Sequence, residues 1–261
     1  MSTIEFVDPE LRDALALWPH VSLTAETLTR RRADALALLS SVPTPDLPDI
    51  ATGEIHVESA FGAKPIRVLT YRPVRFDDPL PVIVHIHGGG FVMGTPEMKD
   101  VENRLFASEL KCAIYSVDYR LAPEAPHPAP LEDIYSVFAW LHANAGQLGL
   151  DSARIGIKGE SGGGGFAAAA ALYARDRHGP KFAFQHLVYP MIDDRTAVRK
   201  DLHLTSASSS GRKRTTISAG VRCSARSRVR PVSRLMRRPM CRACRQPTFR
   251  SAVSISSLKK T

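Results

Sequence analysis

The amino-acid sequence predicts an α/β fold: a mostly parallel sheet with helices on its faces, two helices before it, and a tail that does not fold. Three observations carry the prediction. Strand-length apolar runs alternate with segments of helical period between residues 55 and 189. One run, Pro81 to Ile86, is mostly apolar, as a strand covered on both faces should be. After residue 203 the pattern dissolves: residues 204–261 hold 15 Lys and Arg and no acid.

The elements read as follows. Asp8-Pro9 is an N-cap followed by a proline at the first helical position, and Leu11, Ala14, Leu15 and Trp18 then share one face until Pro19 stops the helix. A second helix runs from about Thr24 to Ser40, with Leu28, Leu36 and Leu39 as its apolar side. Its Arg30-Arg31-Arg32 run reads as a solvated face rather than a nucleic-acid patch. Pro43 to Asp49 is a linker. Ile55 and Val57, then Ile66 and Val68, alternate with polar residues and predict two half-buried strands joined by a turn.

Beyond the strand at Pro81 to Ile86, Thr95-Pro96 opens a helix through Leu105 and Phe106. Cys112 to Val117 is the next buried strand. Leu131 to Ala145 is a helix with Ile134, Val137, Phe138 and Leu141 inward. Arg154 to Lys158 is a short strand, Gly162 to Arg175 a helix of small residues, and Phe184 to Tyr189 a further strand.

Charge divides the chain. Residues 1–203 carry the other 20 basic residues and all 26 acids, a net −6, against +15 in residues 204–261. The tail is rich in Arg and Ser, poor in large apolar residues, and cannot bury enough surface to offset its ordering entropy, so it is expected to be disordered. A shift of reading frame near residue 205 in a GC-rich gene would produce such a composition. Four cysteines do not make a disulfide framework at this size, and Cys241-Arg242-Ala243-Cys244 lacks a second pair or a nearby His, so no metal is expected. The acidic N-terminus has no apolar run of a signal peptide, and Phe166 to Ala174 is too short to span a bilayer. A cytoplasmic location is the expectation.

Two glycine motifs carry the chemistry. Gly159-Glu160-Ser161-Gly162-Gly163 joins a strand to a helix, and its turn is sharp enough to need small residues two places either side of Ser161. It has neither the lysine of a P-loop nor the G-x-G-x-x-G spacing of a dinucleotide site. About seventy residues upstream, His87-Gly88-Gly89-Gly90 follows the buried strand directly. Glycines there let backbone N–H groups approach a developing oxyanion. His87 could serve as a base, but its place before the glycines suits a hydrogen bond that fixes the loop. His85, His127, His186 and His203 read as core or surface residues.

With Asp118-Tyr119-Arg120-Leu121-Ala122-Pro123-Glu124 between them and Tyr189-Pro190-Met191-Ile192-Asp193-Asp194-Arg195-Thr196 after them, these motifs resemble the hormone-sensitive-lipase-like carboxylesterase branch of the α/β-hydrolases, over residues 1 to about 200. The resemblance implies an α/β-hydrolase core over residues 46–203, truncated after about six strands, behind an N-terminal helical cap over residues 1–45. It implies hydrolysis of short- to medium-chain carboxylic esters without cofactor or metal. Ser161 would be the nucleophile, and Gly162 with two neighbouring amides among Gly88, Gly89 and Gly90 (Gly89 and Gly90 first) the oxyanion donors. Arg120 and Glu124 would brace the nearby loop, and Glu160 stands where an aspartate is more usual. Members of the branch add an acid and then a histidine after two further strands. This chain has no carboxylate after Asp201 and no histidine after His203, so impaired catalysis is expected. The alternative is a catalytically dead pseudoenzyme whose basic tail binds nucleic acid or anionic surfaces nonspecifically.

Overall fold

The computed structural model describes residues 7–17, 23–41 and 43–193 of the 261-residue chain. The expectations for the basic tail, for Trp18 and Pro19, and for the side chains of Ala14 and Leu15 lie outside the described residues. The elements are α1 (Pro9–Leu17), α2 (Ala25–Ser40), β1 (Ile50–Val57), β2 (Ile66–Pro73), β3 (Leu80–Ile86), α3 (Asp100–Leu110), β4 (Ala113–Val117), α4 (Ala129–Asn144), β5 (Leu150–Glu160), α5 (Gly162–Asp176) and β6 (Gln185–Val188). A short 3-10 turn, Pro96–Lys99, leads into α3.

The six strands form one mixed sheet in the order β1-β2-β4-β3-β5-β6. β1 and β2 pair antiparallel, β2 meets β4 antiparallel, and β4, β3, β5 and β6 run parallel. A parallel neighbour requires a crossover, and the helical segments supply it.

Alternation along the strands assigns the two faces. Val82, Val84 and Ile86 of β3, Tyr115 and Val117 of β4, and Ile155 and Ile157 of β5 enter the main core with α4 and α5. Ile83, Ile114 and Tyr71 point the other way and join Ala107 of α3. Ile134, Val137, Phe138 and Leu141 of α4 are fully buried, as their spacing predicts.

Several expectations need correction. Leu36, expected on the apolar side of α2, is 47% exposed, and Leu11 of α1 is exposed as well. Of the three expected apolar residues of α2 only Leu28 is buried, against Val92 and Ala122. β5 spans eleven residues, not five, because Leu150 to Ala153 are polar in the middle and hide the strand. Arg32 is not part of a solvated face: its guanidinium reaches across to the core. α2 itself starts as the sequence implies, with Thr24 accepting from Thr27 N at 3.2 Å and donating its own N–H to Thr27 Oγ1 at 3.0 Å.

One buried carboxylate fixes the loop between β4 and α4. Asp133, 1% exposed at its side chain, accepts from Arg120 Nη2 at 2.7 Å, Arg120 Nε at 2.8 Å and the Arg120 backbone N–H at 3.0 Å. Replacing Asp133 with alanine strands those donors, and urea denaturation should show a loss of roughly 2–3 kcal/mol. Asp133→Asn, which keeps one acceptor in place, should lose visibly less; equal losses would contradict this account.

Candidate active site

β5 ends at Glu160 and α5 begins at Gly162, leaving Ser161 at the junction with φ 54° and ψ −120°. A non-glycine residue at positive φ costs of order 1–3 kcal/mol and persists only when its surroundings enforce it. Three backbone bonds do so here. Ser161 N–H donates to Val188 O at 3.0 Å, while its carbonyl accepts from Met191 N at 2.9 Å and Gly165 N at 3.1 Å. The end of β6, the residues just after it and the first turn of α5 therefore hold the serine in place.

The glycines permit close approach. A Cβ on Gly159 would sit 2.5 Å from Gly163 O, and one on Gly163 would overlap the carbonyl oxygens of Ile86 and His87. The first turn of α5 thus rests directly on the end of β3. Gly162 lies against Gly90 and Phe91: a Cβ there would be 3.1 Å from Gly90 N and 3.0 Å from Phe91 N. Gly88 lies between the side chains of the motif, where a Cβ would be 3.6 Å from both Ser161 Cβ and Glu160 Cγ. The structure therefore brings Ser161, Gly162, Gly88 and Gly90 together. Gly89 turns the loop at φ 124°, with its carbonyl accepting from Met93 N at 2.9 Å. The amides of Gly90 and Phe91 lie on the side of Gly162 where a Cβ would stand.

His87 is fully buried and braced. Its Nδ1 pairs with Gly88 O at 2.8 Å, its ring stacks on Tyr119 at 4.2 Å, and Tyr119 Oη donates to His87 O at 2.7 Å. Burial pushes its pKa down to about 4. The loop-fixing reading accounts for all three contacts.

The segment from Asp118 to Glu124 works as a brace. Asp118 accepts from Arg67 Nη1 at 3.1 Å, Arg120 grips Asp133, Ala122 N donates to Phe91 O at 3.0 Å, and Glu124 accepts from Arg32. Arg67 also binds Glu54 at 2.7 Å, and Glu97.

Beneath the serine lies a buried charged network on the α3 side of the sheet. Lys158 Nζ, 4% exposed, donates to Glu102 Oε1 at 2.6 Å and stands 3.8 Å from Glu160 Oε2. Glu160 Oε2 is 3.5 Å from His85 Nε2, and His85 Nδ1 is 2.7 Å from Ser116 Oγ. Burial pushes the Glu160 carboxyl up, but His85, Lys158 and Lys99 outweigh it and leave its pKa below the usual value. Burial likewise opposes ionisation of Glu102, yet Lys158 and Lys99 pull it down to about 2. His85, Lys158 and Glu102 formed no part of the sequence-based site. The signal was present: Lys158 and Glu160 are two apart on one strand and so share a face.

A cavity of about 590 Å³ lies apart from the serine, between α2 and the loops after β3 and β4, walled by Arg32, Leu36, Leu39, Met98, Tyr119 and Leu121 among others. Among the described residues no group of three or more His, Cys, Asp or Glu is arranged to hold a metal ion, and no helix is long and apolar enough to cross a membrane.

A serine at a strained strand-to-helix junction, facing a histidine-glycine loop on a mostly parallel sheet, defines a class of hydrolase folds. Residues 83–250 match the alpha/beta hydrolase fold family, and the chain belongs to it. It is 38% identical to carboxylesterase NlhH of Mycobacterium tuberculosis over 184 residues, 70% of this chain and 57% of that protein. Esterase LipI of the same species is 39% identical over 145 residues, 55% of this chain and 45% of that one. Among solved structures, a bacterial heroin esterase superposes with a TM-score of 0.70 at 34% identity, over 84% of this chain and 68% of that chain. Esterase LipW from Mycobacterium marinum gives 0.68 at 32%, over 89% and 72%. The chain spans about half the length of the curated relatives it matches.

The buried His87 and the half-buried Glu102 set an acid limit. His87 takes its proton near pH 4 when folded, against an ordinary 6.5, so the stability held above pH 6.5 declines as pH falls through 4, by up to roughly 3 kcal/mol. Glu102, ionised down to about 2 against an ordinary 4.5, extends the decline from pH 4.5 towards 2. The unfolding temperature should therefore fall from pH 7 to 3. His87→Asn should make the segment between 6.5 and 4 shallower, with His85 and His127, also lowered by burial, still contributing below 6.5. Lys158→Met should make the segment below 4.5 shallower, with Lys99 still holding Glu102. Parallel pH curves for wild type and both variants would refute the assignment.

Proposed function

We propose that the chain is a serine carboxylesterase fold acting on carboxylic esters with short to medium acyl chains. Ser161 Oγ attacks the acyl carbon, its proton passes to the departing alcohol, and the acyl group is held as a serine ester until water cleaves it to the acid and free Ser161. Gly162 and two amides of the Gly88–Phe91 segment, which here adjoin one another, receive the oxyanion. The observation that carries this reading is Ser161 itself, held at φ 54° between β6 and α5 beside the glycine loop. The esterase names among its relatives support it, and α2 would then belong to a helical cap over the core.

A serine needs a base. His87 is buried, engaged with Gly88 and depressed in pKa, which makes it a poor one. The chain holds no histidine after His203 and no carboxylate after Asp201. Turnover by these 261 residues alone should therefore fall far below that of an enzyme with a complete triad. Residual rate would come from the oxyanion donors and binding.

A second reading has one specific observation behind it, the +15 of residues 204–261. A catalytically dead chain with such a segment would bind nucleic acid or anionic surfaces weakly and lose them as salt rises.

Hydrolysis of p-nitrophenyl acetate separates these readings. The expected outcome is slow turnover, or a single acylation of Ser161 visible by intact mass, abolished in Ser161→Ala. Equal rates in the wild type and Ser161→Ala would remove Ser161 from the mechanism.

A further inference from the structure

The Arg30–Arg32 run contains one residue that is not surface. Arg30 is 86% exposed at its side chain, whereas Arg32 is 26% exposed and spends its guanidinium on the core. Nε donates to Val92 O at 2.8 Å, and Nη2 to Ala122 O at 2.8 Å. Nη1 and Nη2 donate to Glu124 Oε1 and Oε2 at 2.9 and 3.0 Å, a bidentate pair that aims the fork.

Both carbonyls belong to segments that position the glycine loop. Val92 N–H donates to Gly89 O at 3.2 Å, and Ala122 N–H donates to Phe91 O at 3.0 Å. Arg32 thus grips the carbonyl side of two residues whose amides grip the loop. The loop needs an outside restraint. Gly89, Gly90, Phe91 and Gly94 all have positive φ, at 124°, 61°, 70° and 101°. A run of glycines gains no rigidity from side chains and loses the most entropy when ordered.

We propose that Arg32 is a positioning residue for the oxyanion loop, holding the Gly89–Phe91 amides in register with Ser161 from a separate helix. The inference rests on the reading of Ser161 as nucleophile. Two features suit Arg32 to the role. The planar fork serves two carbonyls and a carboxylate at once, which a lysine ammonium cannot reproduce in geometry. Leu28, one turn earlier on α2, packs on Val92 and Ala122 and seats the helix independently of the charge. Arg32 therefore adds directional restraint to a contact that apolar burial already makes.

The test uses the full chain and three variants. Arg32→Met keeps the apolar stem, Arg32→Lys keeps the charge, and Leu28→Ala loosens α2 while leaving the guanidinium. Hydrogen exchange is read separately over residues 25–40, 88–93 and 129–144. Arg32→Met should raise exchange over 88–93 by tenfold or more, with 129–144 unchanged. Arg32→Lys should restore part of the protection, and Leu28→Ala should affect mainly 25–40. The rate of Ser161 acylation by p-nitrophenyl acetate is the second readout. Arg32→Met should slow the maximal rate about 10- to 100-fold, with the half-saturating concentration within about twofold. Unchanged exchange over 88–93 in Arg32→Met would overturn the inference. So would a rise shared equally by 129–144, which would mark general destabilisation, or a loss confined to half-saturation, which would mark a substrate contact. Acylation that survives Ser161→Ala would instead remove the nucleophile, and the exchange data would still decide whether Arg32 restrains the loop.

Discussion

The site depends on one steric contact, in which the first turn of α5 lies directly on the end of β3 with no side chain between them. Gly163 meets the carbonyl oxygens of Ile86 and His87, and Gly159 meets Gly163. Any Cβ at these positions would push the helix off the sheet. The contact brings Gly162 against Gly90 and Phe91, and so sets the serine beside the loop. Ser161, at the junction, takes a positive φ of 54°. The strain at that residue is held by Val188, Met191 and Gly165, whose backbone groups take both its N–H and its carbonyl.

On the α3 face beneath that contact lies a cluster of polar side chains. Lys158, Glu160, His85, Ser116 and Glu102 occupy the α3 face, where Ile83 and Ile114 would otherwise lead an apolar layer. The face divides by position along the strands. Its N-terminal half is apolar and packs on Ala107, and its C-terminal half, under the serine, is charged. Buried charge of this kind adds little net stability, because desolvation offsets pairing. Removing one member would leave its buried partner's charge less compensated. The brace from Asp118 to Glu124 acts by the same logic from the side, with Arg67, Arg120 and Arg32 each joining distant segments.

Much of this was legible in the sequence. The inward residues of α4 follow helical period, and all four are fully buried. The strand at Pro81 to Ile86 reads as buried on both faces because its apolar run has no alternation, and the structure covers it with α3 on one side and α4 and α5 on the other. Ser161 and its glycines were visible because a strained turn tolerates few residue types. Less was visible where a residue's role depends on a distant partner. Arg32 looked like its neighbours Arg30 and Arg31, since local sequence cannot say which arginine faces Val92, sixty residues away. β5 looked short because Asp151 and Ser152 interrupt its apolar pattern, at a place where the register with β3 shifts between Ile155 and Leu150.

The sequence by itself determined the alternation of strands and helices, the serine turn, the glycine loop and the abrupt change of charge after residue 203. These are local matters: hydrophobic period, the demand of a tight turn for glycine, and composition. Only the tertiary structure decided which amides adjoin Gly162, that β6 and the residues after it hold Ser161 against α5, that His87 is locked against Tyr119, and that Arg32 spans two loops. Each of those joins residues far apart in the chain. Their pairing is set by strand order and helix packing, and no window of sequence contains both partners.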